Sequence, residues 1–358
     1  MTATAGNALS GVASMSLFID SVLQGTLTAP PFEFAANTYT LTAGSHAITV
    51  KALDPVGNQS EATVRINVPV QLAVEIVSPT TGTTINRSST TIKGKLTQKY
   101  NREAAVIVNN RLAEVNGNDF AAVVSLQQGQ NVIAVTALNE DGLLSRASVT
   151  INTEVQQGQI RLNATPASGI TMFKQNGAAT FDTSLTAEAS LLNAVANYSW
   201  DTNNDGTPDQ VGAELSTIAA SYQTPGLYFP TVTITDVLGN TYSESTIVNV
   251  VDRMVIDALL RAKWEGMKAK LANQDIGGAV AFFDRSSQDR YTEVFTALRE
   301  QLPQMAQSMQ NIQLIYSTSG IAKYRIRKDE LYGGQMMTLT YYIYFTMDST
   351  GMWKLDKF

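Results

Sequence analysis

The sequence predicts a multidomain chain: three all-β sandwiches in tandem, followed by an α+β domain. Three observations predict it. A 26-residue hairpin pattern recurs without a gap at 43–68, 128–153 and 225–250, at spacings of 85 and 97 residues. Thr, Ser, Val, Asn and Gly are abundant in the first 250 residues, a composition that favours strands and tight turns. From residue 252 the apolar period changes from that of a strand to that of a helix.

Each hairpin copy opens on a glycine turn (Gly44, Gly129, Gly226) and alternates apolar residues with period two. It then turns at Asp or Asn followed three residues later by Gly (Asp54 and Gly57, Asn139 and Gly142, Asp236 and Gly239) and closes with a second alternating strand. Repeats near 90 residues with no helical stretch between them are solved by antiparallel sandwiches that bury one face of each sheet. Within the second, Asn109-Asn110 suits a turn with positive φ, and Phe120, Ala122 and Val124 point inward together. In the last region Ile256, Leu259, Leu260, Trp264, Met267 and Leu271 form one helical stripe. A second helix is expected across IGGAVAFF, and a third across SSQDRYTEVFTALREQLPQMAQSMQ with Ser286 or Ser287 as N-cap. Strands NIQLIYS, AKYRIRK, MMTLTYYIYFTMD and MWKLDKF follow.

The chain of 358 residues carries 44% hydrophobic and 16% charged residues, enough length for three or four cores. Its net charge of −6 is uneven: residues 252–358 hold 14 Lys/Arg against 12 Asp/Glu, the remainder 11 against 19. Neither part is a basic footprint for nucleic acid. There is no cysteine, so disulfides, a thiol nucleophile and the Cys-based zinc patterns are excluded. The one histidine, His46, sits at a hairpin start and is expected to be structural. No apolar run approaches the length of a membrane span, and MTATAGNALSG lacks the regions of a signal peptide.

Several segments resemble known families. Residues 1–69, where TATA leads through GVASMSLFID to APPFEF, resemble a bacterial immunoglobulin-like repeat whose first strand would precede Met1. The resemblance implies a fragment beginning inside a repeat and therefore lacking its signal peptide. Residues 70–155, with VEIVSPTTGTTIN, TTIKGKL and QGQNVIAVTAL, resemble the bacterial immunoglobulin-like type found beside secreted glycosidases. Residues 156–251 resemble the polycystic-kidney-disease (PKD) type of domain through YSWDTNNDG and YQTPGLY, in that order. Residues 252–358 resemble the nuclear-transport-factor-2-like, or SnoaL-like, cone through element order, Trp264 and the terminal GMWKLDKF. Together these imply three immunoglobulin-like sandwiches and a cone-like domain from a secreted or cell-surface bacterial protein. Its expected partners are other domains of a larger parent chain and a protein or surface glycan.

Candidate sites were read from the residues. In DTNNDGTPD, Asp201, Asn203, Asp205 and Asp209 alternate around Gly206, and Thr207 adds a carbonyl, the donor set of a Ca²⁺ loop. The bidentate Glu of an EF-hand is absent, since Gly212 stands at position twelve. A hydrogen-bonded turn anchored by Trp200 is the competing reading. In the last domain, Trp264, Phe282, Phe283, Tyr291, Phe295, Tyr341, Ile343 and Phe345 either line a pocket for a small apolar ligand, as in a carrier or enzyme accessory, or fill the core. An acid–base pair there requires Asp257 or Asp284 beside Tyr324 or Tyr341. Arg325 and Arg327 share one strand face, and Tyr342 and Tyr344 another, each a candidate interaction face. Carbohydrate binding by the sandwiches requires an exposed aromatic strip, for which Tyr39, Tyr100, Tyr222 and Tyr228 are the scattered candidates. The short links 68–71, 154–159 and 250–254 predict a semi-rigid rod. The leading expectation is a non-enzymatic stalk presenting a C-terminal interaction domain.

Overall fold

The computed structural model describes residues 11–35, 38, 41–99, 102–154, 159–174 and 178–358. The expected TATA strand, Tyr39, Tyr100 and most of the 154–159 link lie outside the described residues. The chain divides into two compact units. One comprises Met1–Ala73, Thr97–Arg102 and Leu138–Ser145; the other comprises Val74–Leu96, Glu103–Ala137 and Arg146–Phe358. Mostly β-structure, the described chain forms several separate sheets.

In the first unit, strands Ser14–Ile19, Val22–Leu27, Gly44–Leu53 and Gln59–Val68 form one antiparallel sheet in the spatial order second, first, third, fourth. Alternation puts Met15, Leu17, Ile48 and Val50 on its buried face, where Phe32 and Phe34 pack against them. Asp20 and Ser21 both take positive φ, 46° and 69°, in the tight turn joining the first two strands. Such a turn matches the right-handed twist of a hairpin.

Ser89–Gln98 and Asp119–Ser125 form the middle of one four-stranded sheet, and Gly129–Asn139 and Leu144–Thr153 belong to a five-stranded one. Ile92, Leu96, Phe120, Ile133, Val135 and Ile151 supply buried side chains from both. Asn109 and Asn110 take the expected positive φ of 46° and 64°. Farther along, Trp200 is fully buried among Leu185, Val232 and Ile234, and its indole N–H donates to the Leu215 carbonyl at 2.8 Å.

The third hairpin copy departs from the first two. It breaks at Pro230, which has no N–H to give a ladder, into Gly226–Tyr228 and Thr231–Asp236, while the return strand divides into Thr241–Ser245 and Val248–Val251. The inner halves pair in one sheet and the outer halves in another. The outer pair enters a seven-stranded sheet that runs on into the last part of the chain. Ser168–Ile170 joins the two regions: it pairs in parallel with Val248–Val251, and at Gly169 antiparallel with Thr318. A side chain at Gly169 would collide with the Phe181 ring.

Helix α1 (Arg253–Ala272) buries Ile256, Leu260, Trp264, Met267 and Leu271 of the expected stripe, together with Lys263, while Leu259 is half-buried. Helices α2 (Ile276–Val280), α3 (Arg285–Ala297) and α4 (Leu302–Ser308) follow. Asp284, rather than either serine, caps α3: its carboxylate accepts the Ser286 N–H at 2.9 Å, adding a negative charge at the helix N-terminus. The long third helix of the sequence reading is interrupted at 299–301, just before Pro303 in the first turn of α4. Strands Gln313–Thr318, Ile321–Tyr332, Gln335–Met347 and Trp353–Lys357 complete the seven-stranded sheet as a meander.

Candidate functional site

One turn recurs four times among the described residues. Asp54, Asn139 and Asp236 each accept, through Oδ1, the backbone N–H groups two and four residues ahead, and the glycine three residues ahead takes φ of 92°, 80° and 86°. These polar side chains are buried, at 7%, 4% and 1% exposure, so each must be satisfied internally. Asp348 repeats the arrangement: its Oδ1 accepts from Thr350 and Met352 N–H, and Gly351 has φ of 86°. Sequence reading found three of the four; the spacing Asp-Ser-Thr-Gly at 348–351 carried the same signal.

The Asp348 turn is seated on strands Ala104–Val108 and Arg111–Leu112 of the five-stranded sheet. A side chain on Gly351 would meet Ala105 and Leu112. Beside it, Glu103 accepts the Trp353 N–H at 2.7 Å and pairs with Lys263 Nζ of α1 at 2.6 Å. Their side chains are 6% and 10% exposed. A further polar seam joins Glu114–Asn116 to Val248–Val251. Asn116 donates to the Asn249 side-chain oxygen and the Val250 carbonyl, both at 2.8 Å, while Asn249 donates to Glu114 at 2.9 Å. Burial pushes the Glu114 carboxyl above its ordinary range, against the lowering effect of the Asn249 bond. Ser89 donates to Glu244 at 2.6 Å, and Lys93 lies 3.5 Å from the Phe229 ring centre. These seam residues were not singled out from the sequence, because their burial comes from contacts far apart in the chain that no local pattern marks.

In the 201–209 loop the acidic oxygens meet the loop's own N–H groups. Asp201 accepts from Asn204, Asp205 and Gly206; Asp205 Oδ1 accepts from Thr207; Asp209 accepts from the Thr202 N–H and hydroxyl. Asn203 bonds Asp205 through both its amide and its oxygen. The Asp205 carboxyl is held below its usual range, first by the Thr207 N–H. Among the described residues no three His, Asp or Glu side chains converge as a metal-ligand group.

The aromatic set at the end of the chain divides. Trp264, Phe283, Tyr291, Phe295, Ile343 and Phe345 belong to one buried cluster, with Phe282 packed against it. Tyr341 stands apart at 49% exposure. Phe283 contacts Tyr291 and Phe295, their ring centres 4.2 and 5.9 Å away, a dense aromatic core. Of the acid–base candidates, Tyr324 is fully buried and its phenol is pushed up by burial first and by Asp257 second. Asp257 is engaged by Arg261 Nε at 2.7 Å, and Asp284 caps α3. A phenol shifted upward in this way holds its proton at neutral pH.

Antiparallel register merges two faces that sequence reading kept separate. Arg325 lies opposite Tyr342 and Lys323 opposite Tyr344, so Arg325, Arg327, Tyr342 and Tyr344 share one side of the sheet. Lys323 Nζ sits 4.0 Å from the Tyr342 ring centre and Lys357 5.0 Å from that of Tyr344. Bonding to Tyr344 raises the Lys323 ammonium above its usual range. In the first unit, His46 bonds Asp20 through Nδ1 at 2.5 Å and the Thr42 carbonyl through Nε2 at 2.7 Å. With an acceptor at each nitrogen, the imidazolium is favoured, and His46 is shifted upward.

Among the described residues no helix is long and apolar enough to cross a membrane. No curated protein matches the chain by sequence. Structural likenesses include fibronectin(III)-like modules of Clostridium thermocellum CbhA (14% identity, 50% of this chain and 94% of that chain, TM-score 0.20). Others are a 1.5-MDa bacterial ice-binding adhesin (14%, 69% and 88%, 0.18) and the Bacteroides ovatus glucan-locus protein SGBP-B (11%, 67% and 61%, 0.17). At such scores they carry no functional inference. The family model that matches is the bacterial Ig domain, over residues 1–50.

Proposed function

We propose that this chain is a non-enzymatic, extracellular or cell-surface modular protein of bacterial type. Its sandwiches act as a spacer, and its last region, a nuclear-transport-factor-2-like α+β domain, is the element it presents. The PKD-like third sandwich is the mount. The observation that carries this reading is the seven-stranded sheet, in which Ser168–Ile170 joins Val248–Val251 to Gln313–Thr318. A shared ladder makes the presented element an extension of its support. The bacterial Ig-domain match at 1–50 supports the surface assignment. The cation-and-tyrosine face of Lys323, Arg325, Tyr342 and Tyr344 is the presented surface, suited to an acidic partner. The filled aromatic cluster favours a scaffold over a small-molecule carrier.

Protease shaving of intact source cells, followed by immunodetection with an antibody to this chain, tests the reading. Loss of the signal on shaving is expected. A signal that survives shaving and appears only after lysis contradicts it.

A further inference from the structure

A groove of about 510 Å³ lies where the segment 77–93 faces Asn204, Thr231 and Ser245. That volume is within the range of small-molecule sites. Its lining is rich in hydroxyls, among them Thr83, Thr90 and Thr91, and holds two cations, Arg87 and Lys93, with no acidic residue. Neither cation has a carboxylate partner among the described residues. Lys93 is kept in place by the Phe229 ring, and burial pushes its ammonium below its usual range, so the charged form gains from an incoming anion.

The walls are fixed before any ligand arrives. Ser89 donates to Glu244 at 2.6 Å and Thr91 and Ser245 hydroxyls meet at 3.4 Å, tying the two sides together. Asn204, at φ 60°, is set by its N–H bond to Asp201 at 2.6 Å, which gives the acidic loop a task other than holding a metal: it places an amide in the groove wall. Preorganised polar walls reduce the cost of binding.

We propose that this groove binds an anionic oligosaccharide. Lys93 and Arg87 take its acidic group, while the threonine and serine hydroxyls and Asn204 exchange hydrogen bonds with sugar hydroxyls. Hydroxyls lining the groove on both sides favour a polyhydroxylated chain, and the unbalanced cations favour an acidic one. The site is independent of the surface-display reading, since shaving reports location and not occupancy.

The test is calorimetric titration of the full chain with trigalacturonate, a sulfated disaccharide, maltotriose and triglutamate. Trigalacturonate is expected to bind, more weakly as salt rises, with amide resonances of Asn204 and Thr231 shifting. Binding of the sulfated sugar alone retains the anionic-saccharide class and assigns the acidic group as sulfate. Lys93→Gln and Arg87→Gln are each expected to weaken binding roughly tenfold, as loss of one charge-assisted hydrogen bond does, with an unchanged melting temperature. Should a variant fold poorly, the salt dependence and resonance shifts of the unmodified protein decide. Maltotriose or triglutamate binding as tightly as the acidic sugars, no binding by either acidic sugar, or shifts confined elsewhere would overturn the proposal.

Discussion

Glu103, at the foot of strand Ala104–Val108, forms a buried ion pair with Lys263 of α1 at 2.6 Å, although 160 positions separate them in the sequence. The same carboxylate accepts the Trp353 N–H, so one side chain at the end of a five-stranded-sheet strand joins α1 to strand Trp353–Lys357 of the seven-stranded sheet. Desolvation makes such a pair a poor source of net stability, yet removal of one partner takes a buried counterion from the other.

Removing either partner alone is expected to be costly. Glu103→Ala or Lys263→Ala should lower stability by about 3–5 kcal/mol, whereas Glu103→Leu combined with Lys263→Met should recover much of the loss. Urea unfolding followed by tryptophan fluorescence measures both.

Gly351→Ala should destabilise by about 1–2 kcal/mol through its positive φ alone, with more added by the meeting with Ala105 and Leu112. Gly57→Ala, in the same turn with open space around it, isolates the backbone part. Melts of the two variants should differ, Gly351→Ala lying lower relative to its parent; equal shifts would mean that the seating contact contributes nothing.

Glu114 gives a pH signature of unusual sign. Its folded-state carboxyl is raised above 4.5, so the fold binds this proton more tightly than the unfolded chain does. Its contribution is most favourable at low pH and becomes a cost as pH rises through the raised value. Glu114→Gln keeps an oxygen for the Asn249 amide, and is expected to raise stability at pH 7 relative to wild type while losing the advantage near pH 4.

His46 and Asp20 set a window in the first unit. The raised His46 contribution is fully present below 6.5 and is lost as pH climbs through its folded value; the lowered Asp20 contribution is present above 3.8 and is lost as pH falls through its folded value. Since the chain has one histidine, its ring resonances titrate without ambiguity. A midpoint above 6.5 is expected, returning toward 6.5 in Asp20→Asn.

The hairpin repeat was legible because its signals are local. Asp or Asn with a glycine three positions on fixes the turn, and alternation fixes the buried face, as at Asp54, Asn139 and Asp236. The splitting of the third copy was written in Pro230 but needed the sheet partners to be understood. Tyr341 shows where alternation misled: it shares a face with Ile343, yet it is 49% exposed while Ile343 is fully buried. The seams were not legible, because Glu103, Lys263, Glu114 and Asn249 become buried only through contacts far apart in sequence. The carboxylates of the 201–209 loop were recognised as oxygen donors, and what the sequence left open was whether their partners were a cation or N–H groups a few residues away.

Val74–Leu96, Glu103–Ala137 and Arg146–Phe358 form one compact unit and are expected to open cooperatively. Native-state hydrogen exchange of the full chain and of Glu103→Ala tests it most directly. Faster exchange is expected together in Ala104–Val108, α1 and Val248–Val251, with protection in the first sheet at Gly44–Leu53 unchanged. Faster exchange confined to Ala104–Val108, with α1 and Val248–Val251 as protected as before, would contradict it.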